Sequence, residues 1–207
     1  TFVISPSPAI IAAATGLSTA PADFPWLSHQ SCQIAGCRVT AIRVSFAGEA
    51  GWEIHCDMAD VVAVYDAIMA AGAPHKLGHF GMLALDSMRL EKGYRSWKSD
   101  LTSDYTMLES GLGRWVKFDK ADFVGRAALQ AEHQAGSQRQ FVTLTLDDPA
   151  DDNADPFGEA VYLSVVQCDG VDAGLVVSSG YGHRVGKSIA MAVVDQDKLA
   201  SAGQITV

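Results

Sequence analysis

The chain has 207 residues, 48% of them hydrophobic and 19% charged, enough apolar material for a core of ordinary size and too much for a disordered chain. Lys and Arg total 15 against 24 Asp and Glu, a formal net charge of -9. That balance excludes non-specific nucleic-acid binding, which depends on cations that neutralise phosphates, and no apolar run reaches the roughly 20 residues needed to cross a bilayer.

Ser5-Pro6-Ser7-Pro8 leads into the apolar patch Ala9 to Ala14, a plausible helix start that lacks the basic leader and cleavage context of a signal peptide. From Cys37 to Phe46 the second half alternates, with Ile42, Val44 and Phe46 on one side and Arg43 and Ser45 on the other, the pattern of a half-buried strand. A short link, Ala47 to Gly51, precedes a second strand, Trp52 to Cys56. The spacing predicts a hairpin in which Phe46 faces Trp52, Ser45 faces Glu53 and Arg43 faces His55, so that the polar side chains share one face.

Apolar residues at three- and four-residue steps predict a helix over 59–71, stopped by Gly72, and another over 78–92, stopped by Gly93. In the second, Phe80, Leu83, Ala84, Met88 and Leu90 form the apolar side, with Asp86 and Arg89 opposite. Asp122 is placed to cap a third helix running through Val124, Ala127, Ala128 and Leu129. It ends near Ala135-Gly136-Ser137, which sets the expected domains at 1–136 and 137–207. Beyond it the predicted elements are strands over 141–146, 160–166, 174–177 and 189–194, separated by Gly- and Asp-rich turns, as in a small barrel or sandwich. The expected class is α+β with an all-β C-terminal unit.

Several chemistries are excluded by spacing. The Asp-rich stretch from Asp147 to Asp155 fails as a calcium loop, because counting twelve places from Asp151 reaches Tyr162 rather than Glu; it reads as a solvated acidic loop. Cys32, Cys37, Cys56 and Cys168 form no Cys-x-x-Cys pair and the histidines add no zinc spacing, so free thiols and no metal are expected. Gly111-x-Gly113 has no third glycine opening a helix, and no Gly-x-Ser-x-Gly elbow occurs.

Two stretches could carry a ligand. Glu53, on a strand between Trp52 and Ile54, could offer both carboxylate oxygens to a planar donor pair such as a pterin or guanine edge, or could pair across the hairpin with Arg43. From Glu91 to Asp100, Tyr94 and Trp97 leave a helix end with Arg95 and Lys98. These aromatics could sandwich a heterocycle while the cations meet its carboxylates, or could pack on the core as an ordinary loop.

Together these stretches resemble a known family. Arg43-Val44-Ser45-Phe46-Ala47-Gly48-Glu49-Ala50-Gly51-Trp52-Glu53-Ile54 and Ala84-Leu85-Asp86-Ser87-Met88-Arg89-Leu90-Glu91-Lys92-Gly93 are similar to two signatures of the glycine-cleavage T-protein (aminomethyltransferase) family. Asp100-Leu101 followed by Thr106-Met107-Leu108-Glu109-Ser110-Gly111-Leu112 is similar to a third. Asp23-Phe24-Pro25-Trp26, Arg95-Ser96-Trp97 and Asp119 to Arg126 look closest to the folate-binding C-terminal half of sarcosine and dimethylglycine dehydrogenases. The resemblance spans nearly the whole chain in order.

It implies ferredoxin-like, split β-α-β units and a C-terminal β-barrel around a tetrahydrofolate cavity. Glu53 then holds the pterin edge, Trp97 and Tyr94 lie by the ligand, and Arg43 and Arg95 support it. The implied reaction passes a one-carbon unit from a lipoyl-bound aminomethyl group, or from a flavin-generated iminium of a small amine, to folate. Ile4 to Ala9 resembles a segment that follows the family's catalytic aspartate, so that aspartate is expected upstream, in an N-terminally incomplete module. Leu85 stands where T-proteins carry a folate-assisting arginine, Met107 replaces a proline, and Lys98 replaces a frequent glycine. The expectation is a folate-dependent aminomethyltransferase, whole or in part. Its alternatives are the folate domain of a flavin-dependent sarcosine or dimethylglycine dehydrogenase with an upstream FAD domain, a related demethylase, and a non-catalytic folate-binding module. The expected location is the cytoplasm.

Overall fold

In the computed structural model, residues 2–4, 8–147 and 160–207 are described, the first three by their backbone alone. The acidic stretch expected over 147–155 lies outside the described residues, except for Asp147, whose exposed carboxylate meets Lys187 Nζ at 3.0 Å. The chain divides into two compact units, Thr1–Lys92 and Gly93–Val207.

The first unit contains β1 (Phe2–Ile4), α1 (Pro8–Thr15), β2 (His29–Ile34), β3 (Cys37–Ile42), β4 (Trp52–Cys56), α2 (Val61–Gly72) and α3 (Met82–Glu91). Its sheet has the order β1-β4-β3-β2, with every neighbouring pair antiparallel. Strands β1 and β3 therefore run parallel on either side of β4, and the chain passes between them through α1 and the edge strand β2, a mixed α and β layer of the kind expected. Alternation along the strands puts Ile34, Val39, Ala41, Trp52 and Ile54 on one face. There they pack with Ile10 and Ile11 of α1, Val64 and Ile68 of α2, and Phe24. The Phe24 and Trp52 rings meet edge to face at 6.0 Å.

The predicted hairpin is corrected in register. Strand β3 ends at Ile42, and Arg43 to Gly51 form the link, so Glu53 stands opposite Ile42 and His55 opposite Thr40. Alternation in Val44 and Phe46 suggested a longer strand, but burial of Val39 and Ala41 decides which residues face the core and so sets the register. The true tight hairpin is β2–β3, whose two-residue turn Ala35-Gly36 has φ of 51° and 77°, matching the twist of the flanking strands.

Helix α2 begins after a 3-10 turn, Met58–Asp60, and helix α3 begins at Met82 rather than 78. Burial in α3 also differs from its apolar pattern: Leu83 is exposed, while Arg89 is buried with its Nε 2.6 Å from Asp86. Pairing is what permits a buried guanidinium.

The second unit contains α4 (Arg126–Ala135), β5 (Arg139–Leu146), β6 (Val165–Cys168), β7 (Val171–Gly182), β8 (Lys187–Asp195), α5 (Gln196–Ser201) and β9 (Ile205–Thr206). The strands form an antiparallel sheet in the order β5-β8-β7-β6-β9, the strand-rich C-terminal region expected, with the short helix α5 between β8 and β9. Asp122 does not cap α4; Gly125, with φ of 88°, turns the chain into it, and Val124 is wholly exposed. The strand expected from 160 starts at Val165, because Leu163 takes a φ of 67° in a turn and Val161, Tyr162 and Leu163 face outward. Strand β7 outruns the predicted 174–177 because glycines and serines break its apolar signal without breaking its ladder.

Strand β8 is buried from Ser188 to Val194. Ala190, Ala192 and Val194 join Val166 and Val176 in the core on one face. On the other, Phe141 lies opposite Val193 and stacks against the Arg95 guanidinium. A bulge at Val177 brings Ser178 opposite Met191, on this second face. Gly174 lies between β6 and β8, and a Cβ there would come 2.2 Å from the Val193 carbonyl oxygen. Since backbone cannot yield as a side-chain tip can, Gly174→Ala is expected to cost about 1–3 kcal/mol, read as a lower denaturant midpoint with unchanged slope.

Candidate functional site

On β4, Trp52 and Ile54 point into the core, so Glu53 and His55 project from the opposite face. Register extends this face across the sheet: Glu53 faces Ile42, which faces His29, while His55 faces Thr40, which faces Ser31. It is the polar face of the first unit. The Glu53 side chain is 34% exposed and that of His55 41%, with Nε2 of His55 3.3 Å from Oε2 of Glu53.

Arg43 is placed differently from its predicted pairing. Its Nη1 donates to the Phe24 carbonyl and its guanidinium lies 5.3 Å from the Trp52 ring centroid. No Arg43–Glu53 ion pair forms among the described residues; the carboxylate's partner is His55. Ser45, expected opposite Glu53, lies in the link, its Oγ buried without a hydrogen-bond partner among the described residues. The sequence alone missed the Glu53–His55 contact, although their i,i+2 spacing on one strand was its signal.

In the second unit, Asp100 shapes the segment that carries the aromatic candidates. Fully buried, it accepts from the Ser96 N–H at 2.6 Å and from the Ser178 hydroxyl. This closes a turn in which Lys98 has a φ of 74° and its N–H donates to the Leu101 carbonyl. The turn leaves Trp97 76% exposed, so it does not pack on the core as an ordinary loop aromatic would. Tyr94 is half-buried. The Arg95 guanidinium lies 4.4 Å from the Phe141 ring centroid, and its buried Nε has no hydrogen-bond partner among the described residues. Burial pushes its pKa down, with Asp100 opposing and Arg114 adding to that shift. A half-buried cation in such surroundings is suited to an anionic group.

A groove of about 650 Å³ in the same unit is lined by Tyr105, Thr106, Glu109, Glu132 and Arg139 among others. None of Glu53, Arg43, Tyr94, Arg95 or Trp97 lines it. Its floor is a fork-to-fork ion pair, Arg139 Nε to Glu109 Oε1 at 2.9 Å and Nη2 to Oε2 at 3.1 Å, with the Tyr105 ring 4.9 Å from the guanidinium. Among the described residues no His, Cys, Asp and Glu cluster could hold a metal ion, and no helix is long and apolar enough to cross a membrane.

Residues 6–120 match the GCVT N-terminal domain and residues 139–207 the glycine cleavage T-protein C-terminal barrel domain. The chain is 39% identical over 183 residues to human mitochondrial dimethylglycine dehydrogenase, covering 87% of this chain and 20% of that protein. It is 40% identical over 168 residues to human mitochondrial sarcosine dehydrogenase, covering 81% of this chain and 17% of that protein. With the aminomethyltransferase of Saccharopolyspora erythraea it shares 36% over 166 residues, 80% of this chain and 43% of that protein. The crystal structure of the glycine cleavage system aminomethyltransferase T from Bartonella henselae superposes with a TM-score of 0.73 at 25% identity, over 91% of this chain and 48% of that one. The chain thus spans less than half the length of each of these relatives. With both domain models matched in order on an α+β fold that ends in the barrel sheet, the chain belongs to the glycine cleavage T-protein family.

Proposed function

We propose that this chain binds tetrahydrofolate and serves one-carbon transfer of the aminomethyltransferase type, with Glu53 as the anchor for the pterin edge. The observation that carries the reading is an acidic side chain standing on an open strand face, backed by Trp52 in the core. A ring N–H beside an exocyclic amine presents two parallel donors, and a carboxylate accepts both with charge assistance. Trp97 is proposed in its own right as a ligand-stacking aromatic, on the ground of its exposure, and Tyr94 as a lesser contact. Arg95 suits a ligand carboxylate because burial leaves its charge poorly solvated. Arg43 supports the anchor indirectly, by holding Trp52 and the Phe24 segment.

When bound, the folate would supply the nitrogen that accepts the one-carbon unit; the chain's own residues bind and orient it. The donor is a small amine or a lipoyl-bound aminomethyl group. A second reading, the folate region of a flavin-dependent demethylating dehydrogenase, draws on the 39–40% identity to dehydrogenases against 36% to an aminomethyltransferase. A Gly-x-Gly-x-x-Gly after a first strand, upstream in the reading frame, would decide for it. The cysteines are unpaired, which fits a reducing compartment such as the cytoplasm.

Calorimetric titration with folinic acid, a stable reduced folate, tests the proposal. Micromolar binding is expected, weakened about 10- to 100-fold in Glu53→Ala, the range for losing a hydrogen bond to a charged group. Equal binding by the variant would reject Glu53 as the anchor.

A further inference from the structure

Resting on the reading of Glu53 just proposed, we infer that His55 is a positioning residue that fixes the orientation of the Glu53 carboxylate for a two-point planar donor. The two side chains leave the same face of β4, two residues apart, and meet at 3.3 Å between Nε2 and Oε2. Across the sheet, Glu53 has the apolar Ile42 opposite on β3 and Val3 at the paired position on β1. Of the residues in register with it on β3, none is a donor that could compete for its oxygens. His55 itself faces Thr40, and the charged or titratable residues farther along this face of β3 and β2 are Arg38 and His29. Histidine is thus the group placed to hold this carboxylate.

The chemistry follows from geometry. A glutamate on an open face rotates about its last torsion, and a bidentate donor engages only when the carboxylate plane matches its own. An Nε2–H donating to Oε2 restricts that rotation before the ligand arrives, so less rotamer freedom is lost on binding. Oε2 keeps a lone pair for the ligand, and Oε1 has no protein partner among the described residues.

The test uses the folinic acid titration with His55→Ala, His55→Gln and His55→Asn beside Glu53→Ala. Glutamine places its amide nitrogen about where Nε2 of histidine stands, while asparagine falls short of it. His55→Ala and His55→Asn are each expected to bind about 3- to 10-fold more weakly than wild type, the span of one ordinary hydrogen bond, and His55→Gln within about twofold. A merely structural histidine would not give this rank order, and thermal midpoints measured on the same samples separate affinity from folding. If Glu53→Ala weakens binding while all three His55 variants bind like wild type, or His55→Ala binds more tightly, the inference is overturned and the anchor stands. If Glutamine fails to recover what alanine loses, positioning through Nε2 is likewise overturned. No binding by wild type, or an unaffected Glu53→Ala, overturns the anchor and this inference with it.

Discussion

Trp52→Ala is expected to destabilise the first unit by about 3–5 kcal/mol, the usual cost of emptying a buried aromatic site. Trp52 is fully buried, meets Phe24 edge to face and carries the Arg43 guanidinium over its ring, so truncation opens a cavity among Phe24, Arg43 and the two neighbouring strands. Its Nε1 is buried with no hydrogen-bond partner among the described residues. A buried orphan donor costs about 1–3 kcal/mol, so Trp52→Phe, which removes the donor along with part of the volume, should lose much less than Trp52→Ala. Urea unfolding of the three proteins reads this order directly. A Phe variant as unstable as the Ala variant would show that neither the retained volume nor removal of the orphan donor governs the site.

Acid is expected to weaken the second unit through Glu109. Burial by itself would raise this carboxyl's pKa, but the hydrogen bonds from Arg139 and the Thr106 N–H outweigh it and hold it below the ordinary carboxylate value. A folded-state pKa below the unfolded one means the stabilisation is fully present above the unfolded value of about 4.5 and is lost as pH falls through the folded value. Wild type should therefore lose stability more steeply below about pH 4.5 than Glu109→Gln, whose amide does not titrate. At neutral pH the glutamine variant should be less stable by about 1–3 kcal/mol. That is smaller than for breaking a fully buried pair, because Arg139 is 44% exposed and water screens it. Parallel stability-pH curves for the two proteins would remove Glu109 as the source of acid sensitivity.

How much of this was legible beforehand depended on whether a residue's neighbours were local. Strand β4 and the end of α4 were predictable because alternation and Gly136 announce themselves within a few residues. The β3–β4 register was not, since it is decided by which of Ala41 or Ile42 meets the helices, and both residues are apolar. Strand β2 was hidden because its outward positions, His29, Ser31 and Gln33, outweigh its inward ones, and an alanine occupies the left-handed turn position normally marked by Asn or Gly. Of the candidate site, the facing of Glu53 away from the core could be read from Trp52 and Ile54. Its partner could not, because Arg43 is the stronger electrostatic choice on paper yet is taken by Phe24 and Trp52. The exposure of Trp97 depends on a turn closed by Ser178, far along the chain.

The link between β3 and β4 also constrains how this sequence can drift. Gly48 has a φ of 73°, and a Cβ built on it would fall 1.9 Å from Cγ of Lys92, the residue that follows α3. The lysine stem thus occupies the volume a side chain at 48 would need. Shortening residue 92 would not by itself make room, since its Cβ also lies 2.8 Å from the added atom, and the backbone strain at 48 remains in any case. Position 48 is thereby a mutational dead end, closed by a residue far along the chain and by its own backbone.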